Sequence, residues 1–444
     1  MKKLFSAVIL LALIAAPAFA APGNADNGKK VYEKRCLMCH GDEGDGAGPG
    51  AERLNPPPRD FTLGQYKFKT TGFDDIVPND VDLIRMIRDG MPGTAMPGWS
   101  DVLSDQEILD LVAYIKIFAA LDEETPSDQV DYGSQIATSP ESIAKGRELF
   151  LQDDRCAECH GQEGRGDAIK KLKDDNGERT WPRNLTKPWT FRASNAPKDI
   201  FSRISVGIPG TQMPSFADPV SKKKLTIEER WHVANYVASL AETKKVVAPE
   251  KTVIKALKVS DALPTSPEDA LWQTAESATF FLVPQIIAEQ RFFMPSNDTV
   301  TVRALFDDET LALLVEWDDR TKSIPGDAKA ESIANAEMSE DAIAVQFPVT
   351  IPSGMEKPYF LMGDAANPVN LWHWSSGSTE APETVSLMDA SGAETLAARE
   401  AAPAGMAGEG VYRDGTWRVV LRRALTTGDA ENDTQFAEGT LIPV

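Results

Sequence analysis

All four cysteines of the chain fall in two pentapeptides, Cys36-Leu37-Met38-Cys39-His40 and Cys156-Ala157-Glu158-Cys159-His160. Two thiols one helical turn apart can add across the two vinyl groups of a haem, and a histidine directly after the second thiol projects its imidazole onto the iron. Paired cysteines in an exported protein otherwise form disulfides, and zinc is the other alternative. Neither explains why a histidine follows both pairs. The spacing predicts two covalent haem c groups, held by Cys36 and Cys39 and by Cys156 and Cys159, with His40 and His160 as proximal iron ligands.

The elements that position these residues repeat. Gly28-x-x-x-Tyr32 precedes the first motif and Gly146-x-x-x-Phe150 the second, each a small-plus-aromatic helix face suited to a partner helix. Gly-x-Glu-Gly-x-Gly follows at 41–46 and 161–166. Pro58-Arg59-Asp60-Phe61-Thr62 then matches Pro182-Arg183-Asn184-Leu185-Thr186, and Gly90-Met91-Pro92-Gly93-Thr94-Ala95-Met96-Pro97 matches Gly207-Ile208-Pro209-Gly210-Thr211-Gln212-Met213-Pro214. Each unit closes with an amphipathic helix, expected over 104–119 and 226–241, where Ser104 with Glu107 and Thr226 with Glu229 form capping boxes. The register also selects the sixth ligands. Met91 aligns with Ile208, which cannot ligate, whereas Met96 aligns with Met213, each followed by a proline that stiffens the loop. Methionine is more often core filler, but the shared register favours thioether ligation. His40 lies 56 residues before Met96 and His160 53 before Met213.

These residues resemble class I cytochrome c domains over roughly 24–120 and 141–242. The resemblance implies small all-α folds, His–Met ligation and one-electron transfer.

Residues 1–20 read as a secretory signal peptide: Lys2 and Lys3, an apolar run from Leu4 to Ala16, and Ala18-Phe19-Ala20 as cleavage site. An uncleaved N-terminal anchor is the alternative. No later stretch approaches 18 apolar residues, so no transmembrane span is expected in the mature chain, and the expected compartment is the periplasm. The formal charge of −21, which becomes −23 without Lys2 and Lys3, argues against nucleic acid as a partner. That acidity either solvates the surface or steers a basic redox partner, and only steering would slow association as salt rises. The expected organisation is signal peptide 1–20, first cytochrome domain 21–122, acidic linker 123–140, second cytochrome domain 141–242, linker 243–267, and a third domain 268–444.

The third domain changes period. β-rich runs at 299–306, 310–317, 342–347, 369–374 and 416–423, separated by Gly, Pro and Asp turns, predict a mostly antiparallel β-sandwich. The stretch 386–410, rich in Ala, Gly and Glu, reads as an irregular insertion. Leu313–Asp319, Phe360–Asp364, Val369–Trp374 and Gly415–Val420 resemble the haem b-binding γ-type subunits of periplasmic molybdopterin enzymes, the ethylbenzene dehydrogenase group. The resemblance implies a non-covalent haem b with a Met and a Lys as axial pair, and Met362 stands where that Met is expected. No lysine follows Lys357. Either the sequence stops short of that ligand or the domain has lost haem b. His373 is a substitute, although between Trp372 and Trp374 a packed structural role is the ordinary reading, as it is for His232 beside Trp231.

The leading reading is an electron-transfer protein with no catalytic residue. Two c haems relay electrons, and the sandwich docks onto, or carries a third haem beside, a molybdopterin/iron–sulfur oxidoreductase or another cytochrome. A dihaem peroxidase would need an open iron position, against which Met96 and Met213 speak. A ligand-binding sandwich displaying Trp372 and Trp374 is the third reading.

Overall fold

The computed structural model describes residues 22–444 apart from 154, 169, 176, 178, 246, 248–251, 284–290, 293–297, 334–337, 353–360 and 404. The export segment read over 1–20, Lys357 and Phe360 lie outside the described residues.

Two helical units follow the repeat. The first contains α1 (Ala25–Arg35), α2 (Leu37–His40), α3 (Asp80–Asp89) and α4 (Asp105–Ile117); the second contains α5 (Pro140–Leu151), α6 (Ala157–His160), α7 (Pro197–Val206) and α8 (Ile227–Ser239). Asn24 and Ser139 cap α1 and α5 by accepting backbone N–H bonds. Both capping boxes form, Ser104 with Glu107 and Thr226 with Glu229, and both closing helices end two residues sooner than the pattern suggests.

The repeated glycines explain how α1 meets α4 and α5 meets α8. A Cβ on Gly28 would lie far inside van der Waals distance of the Asp110 carbonyl oxygen, and one on Gly146 would collide with the His232 carbonyl oxygen. The helices therefore cross backbone against backbone. One turn on, Tyr32 packs at 5.3 Å from Tyr114 and 5.2 Å from Phe118, while Phe150 sits 5.2 Å from Tyr236. Buried residues of α3 and α4, and of α7 and α8, complete the two cores. His232 is a core residue, its Nδ1 2.9 Å from the Ser142 hydroxyl.

The stretch read as an acidic linker is sewn to both units. Asp75 accepts from the backbone N–H groups of Ser127 and Asp128 at 2.7 and 3.0 Å, and Val130 N–H donates to Thr70 at 3.0 Å. Beyond it, Val130 enters the core of the second unit and Trp231 Nε1 donates to the Tyr132 carbonyl at 2.8 Å. Nearby, α3 and α7 join through an Arg85–Asp199 ion pair of 2.7 Å.

The third unit is two facing sheets. Six strands run in the order Ala407–Arg413, Thr416–Ala424, Thr310–Asp318, Thr299–Phe306, with Ala256–Lys258 and Ala278–Phe281 sharing the last edge; four run Ala397–Ala398, Thr384–Ala390, Val369–Ser375, Ala342–Pro348. Pairing is antiparallel except between Ala256–Lys258 and Thr299–Phe306. Residues from both sheets, including Val315, Trp317, Trp372, Trp374, Trp417 and Val419, fill the space between them. The outer face of the larger sheet is also covered, by Leu263, Trp272 and Ala275, which is why Leu311–Val315 is continuously apolar.

Two expectations differ from this structure. The connection read over 243–267 supplies a strand and Leu263, so the sandwich draws on residues before 268. The stretch read as an insertion, 386–410, holds most of one strand, a two-residue edge strand and the start of another. Its glycines obscured this, yet two of them are packing residues: a Cβ on Gly410 would run into the Trp374 ring and one on Gly408 into the Val420 carbonyl.

The sandwich rests on the second helical unit. Lys187, its side chain 7% exposed, lies 3.3 Å from Asp298 and 3.2 Å from Asp318, and Trp189 Nε1 donates to Asp298 at 2.8 Å.

The backbone-to-backbone crossings are testable. Gly28→Ala and Gly146→Ala should each destabilise the holoprotein by about 1–3 kcal/mol, because overpacking outweighs the roughly 1 kcal/mol that alanine returns in helix propensity. Denaturant unfolding measures this, and unchanged midpoints would contradict the close approach.

Candidate haem centres

Each Cys-x-x-Cys-His segment is one short turn of helix. His40 N–H donates to the Cys36 carbonyl and His160 N–H to that of Cys156, both at 2.9 Å, and Gly41 and Gly161 end the turns at φ of 80° and 78°. A Cβ on either glycine would also strike the carboxylate of Asp45 or Asp167. This turn presents two thiols and an imidazole together, as the sequence predicts. All four cysteines are free thiols, half-buried. Burial pushes the Cys36 thiol up to about 11 and that of Cys156 up to about 12, so these two are protonated at neutral pH. Among the described residues no group of three His, Cys, Asp or Glu is placed to hold a metal ion, so the zinc reading finds no ligand set.

The histidines are oriented alike. His40 Nδ1 lies 3.0 Å from the Arg59 carbonyl oxygen and His160 Nδ1 3.0 Å from that of Arg183. A carbonyl only accepts, so Nδ1 carries the proton and Nε2 keeps its lone pair for a metal. Burial holds both imidazoles below the usual histidine range, partly offset by these bonds. Phe61 stacks on His40 with centroids 4.5 Å apart. The repeat in the sequence had flagged Pro-Arg-Asp/Asn without giving it a role. Its arginine carbonyls are the second residue set that fixes each imidazole, and the register shared with the two histidines was the signal.

The methionine loops are also superimposable in their bonding. In the first, Met91 N–H donates to the Met96 carbonyl at 3.1 Å, and Thr94 Oγ1 donates to the Met91 carbonyl at 2.8 Å while accepting from Met96 N–H at 3.1 Å. In the second, Ile208, Thr211 and Met213 repeat these bonds at 3.1, 2.8 and 3.2 Å. Met96 and Met213 are half-buried, and Met213 packs against the second core.

The donors left over suit a haem, whose carboxylates are acceptors. Tyr66 Oη and Trp99 Nε1 in the first unit, and Arg155 Nη1 beside Cys156 in the second, are buried without a hydrogen-bond partner. The residues present fit the group.

In the sandwich, Met362 packs with Val369, Leu371, Met388 and Ala390 on the outer face of the smaller sheet. Its backbone is at φ 63°, and its N–H donates to Gln346 Oε1 at 3.0 Å. His373 alternates with Val369 and Leu371 and so shares that face; its Nδ1 is 3.4 Å from the Ser386 hydroxyl. Trp372 and Trp374 point the other way and are fully buried between the sheets, so they offer no exposed face to a ligand.

Comparison with known proteins follows the same division. Residues 23–115 match the family "Cytochrome C oxidase, cbb3-type, subunit III", residues 143–241 match "Cytochrome c", and residues 269–402 match "Ethylbenzene dehydrogenase". A Haloferax mediterranei protein described as a respiratory nitrate reductase heme subunit, ORF7, is 32% identical over 155 residues, 34% of this chain and 48% of that protein. A nicotinate dehydrogenase polypeptide of Pseudomonas putida is 29% identical over 138 residues, 30% of this chain and 10% of that protein. The match thus spans about half or less of these curated relatives. A chain of the Kuenenia stuttgartiensis reducing HAO-like protein complex is 36% identical, with 49% of this chain and 97% of that chain covered and a TM-score of 0.45. Two cytochrome c domains in tandem, which imply haem c, and a following domain of the ethylbenzene dehydrogenase type make up this chain.

Proposed function

We propose that the chain is an exported, non-catalytic electron-transfer subunit that binds two covalent haem c groups and serves a periplasmic redox enzyme. The observation that carries the reading is the pair of histidines whose Nδ1 atoms are both held at 3.0 Å by a backbone carbonyl, leaving Nε2 of each for iron. Cys36 and Cys39, and Cys156 and Cys159, form the thioether bonds. Met96 and Met213, on loops that share one hydrogen-bond scheme, would be the second iron ligands. A haem held by these residues would supply one-electron chemistry. The protein's part is to hold the ligands, exclude water and set the surrounding charge.

The third domain is read as the docking unit. Residues 21–122 and 141–242 are the relay, and the sandwich faces the partner, a molybdopterin/iron–sulfur oxidoreductase or another cytochrome. The Haloferax relative, described as the heme subunit of a respiratory nitrate reductase, supports a partner of that kind. A haem b at Met362 belongs to this reading as its finer form, with His373 on the same face as the candidate second ligand. Among the described residues no helix is long and apolar enough to cross a membrane.

A pyridine haemochrome with iron quantified per chain tests the reading. Two c-type haems are expected, and a third of b type would place haem b in the sandwich; fewer than two c haems would refute the proposal. The sixth ligands are tested separately. Met96→His and Met213→His should each abolish the sulfur-to-iron charge-transfer band of one haem and lower its midpoint potential by at least about 59 mV, a tenfold change for one electron. An unshifted potential would remove that methionine from the ligand set.

A further inference from the structure

The junction between the two cytochrome domains is built around the methionine loops. Gly93 and Gly210 are equivalent positions in those loops, and each is touched from the opposite domain. Arg192 of the second domain donates from Nε to the Pro92 carbonyl at 3.2 Å and from Nη2 to the Gly93 carbonyl at 3.4 Å. At Gly210, a Cβ would lie 3.0 Å from Oε1 of Gln65 in the first domain.

Arg192 is held there by strain. The next two residues, Ala193 and Ser194, have φ of 62° and 70°, the left-handed region that disfavours a residue with a Cβ. Arg203 on α7 clamps this turn, donating from Nη1 to the Arg192 and Ala193 carbonyls at 3.3 and 2.8 Å and from Nη2 to that of Ser194. A strained turn fixed by a guanidinium is an expensive way to place a side chain unless the placement is used. Burial brings the Arg192 guanidinium down to about 10, with Arg59 of the first domain contributing, so it stays charged at neutral pH.

We propose that Arg192 is a cross-domain positioning residue for the first haem centre: from the second domain it anchors the loop that carries Met96 and sets a positive charge beside it, favouring the reduced state. This rests on the reading of the two motifs as haem sites. Reduction adds one electron and lowers the positive charge at iron, so a fixed cation nearby raises the potential. The first centre therefore owes part of its potential to the domain that follows it, and the two domains act as one unit rather than as independent carriers.

Potentiometric titration of the full-length holoprotein tests this, with Arg192→Gln and Arg192→Lys beside the parent and haem content per chain as the check on folding. In Arg192→Gln the wave that Met96→His displaces should fall by about tenfold in its equilibrium constant, 59 mV for one electron, while the other wave moves less and the thioether band persists. Arg192→Lys, which keeps the charge, should retain most of the parent potential. An unmoved wave in Arg192→Gln overturns the inference, and so does an Arg192→Lys protein as low as Arg192→Gln. A parent protein without two one-electron waves would instead contradict the haem reading on which the inference stands.

Discussion

The bond from each histidine Nδ1 to a backbone carbonyl 19 or 23 residues further along is the constraint from which the rest of the helical half follows. A neutral imidazole serves iron only if one nitrogen keeps its lone pair, and the other must then spend its proton on a fixed acceptor. A carbonyl is such an acceptor only where the chain carrying it is rigid. Here it belongs to the segments Pro58–Thr62 and Pro182–Thr186, pinned to the preceding glycine turns through Phe61 N–H to the Gly44 carbonyl and Leu185 N–H to that of Gly164, both 2.7 Å. The helix crossings at Gly28 and Gly146 in turn fix where each Cys-x-x-Cys-His turn starts, because that turn follows α1 at once and α5 after four residues. One side chain's tautomer thus draws in three separate stretches of chain.

Most of this was legible in the sequence because it is doubled. A single Gly-x-x-x-Tyr says little, but its recurrence in register pointed to the helix faces at Gly28 and Gly146. The Pro-Arg-Asp/Asn register marked the segments that carry the Arg59 and Arg183 carbonyls but not their role, since backbone acceptors leave no trace in residue type. Cross-domain contacts were equally hidden. Arg85 with Asp199, Lys187 with Asp298 and Asp318, and Asp75 with the 127–128 backbone join residues too far apart for any local pattern to report.

The sandwich shows the opposite case, a region without a repeat. Strands with strong alternation or a buried run, such as 299–306 and 310–317, were visible, whereas 407–413 was not, because Gly408 and Gly410 remove the β-branched signal. Gly410 is required because Trp374 occupies the space above it, and Gly408 because the Val420 carbonyl and the Val385 side chain do. Propensity reports what a residue does alone, and here the neighbour across the sheet decides. The same crowding settles the tryptophans: Trp317, Trp374 and Trp417 pack edge to face or stacked within 6.3 Å of one another, which makes them core.

The duplication also explains where asymmetry should be sought. Two copies of one domain share the same histidine and loop bonds, so under the proposed ligation two irons would differ only through what surrounds them. In this chain the surroundings differ at the junction, where the first methionine loop receives Arg192, whereas Gln65 and Asp175 lie beside Gly210 of the second. The second domain also has the sandwich against its Pro182–Thr190 segment, through Arg320 to the Pro182 carbonyl at 3.3 Å and Lys187 between two aspartates. Charge thus differs around the two sites both within the domains, where Asp60 stands opposite Asn184 in the repeat, and across their junction. A fixed charge shifts the potential of the site nearest to it, so in a tandem protein residues such as Arg192 that cross the junction are a means of making two like sites unequal.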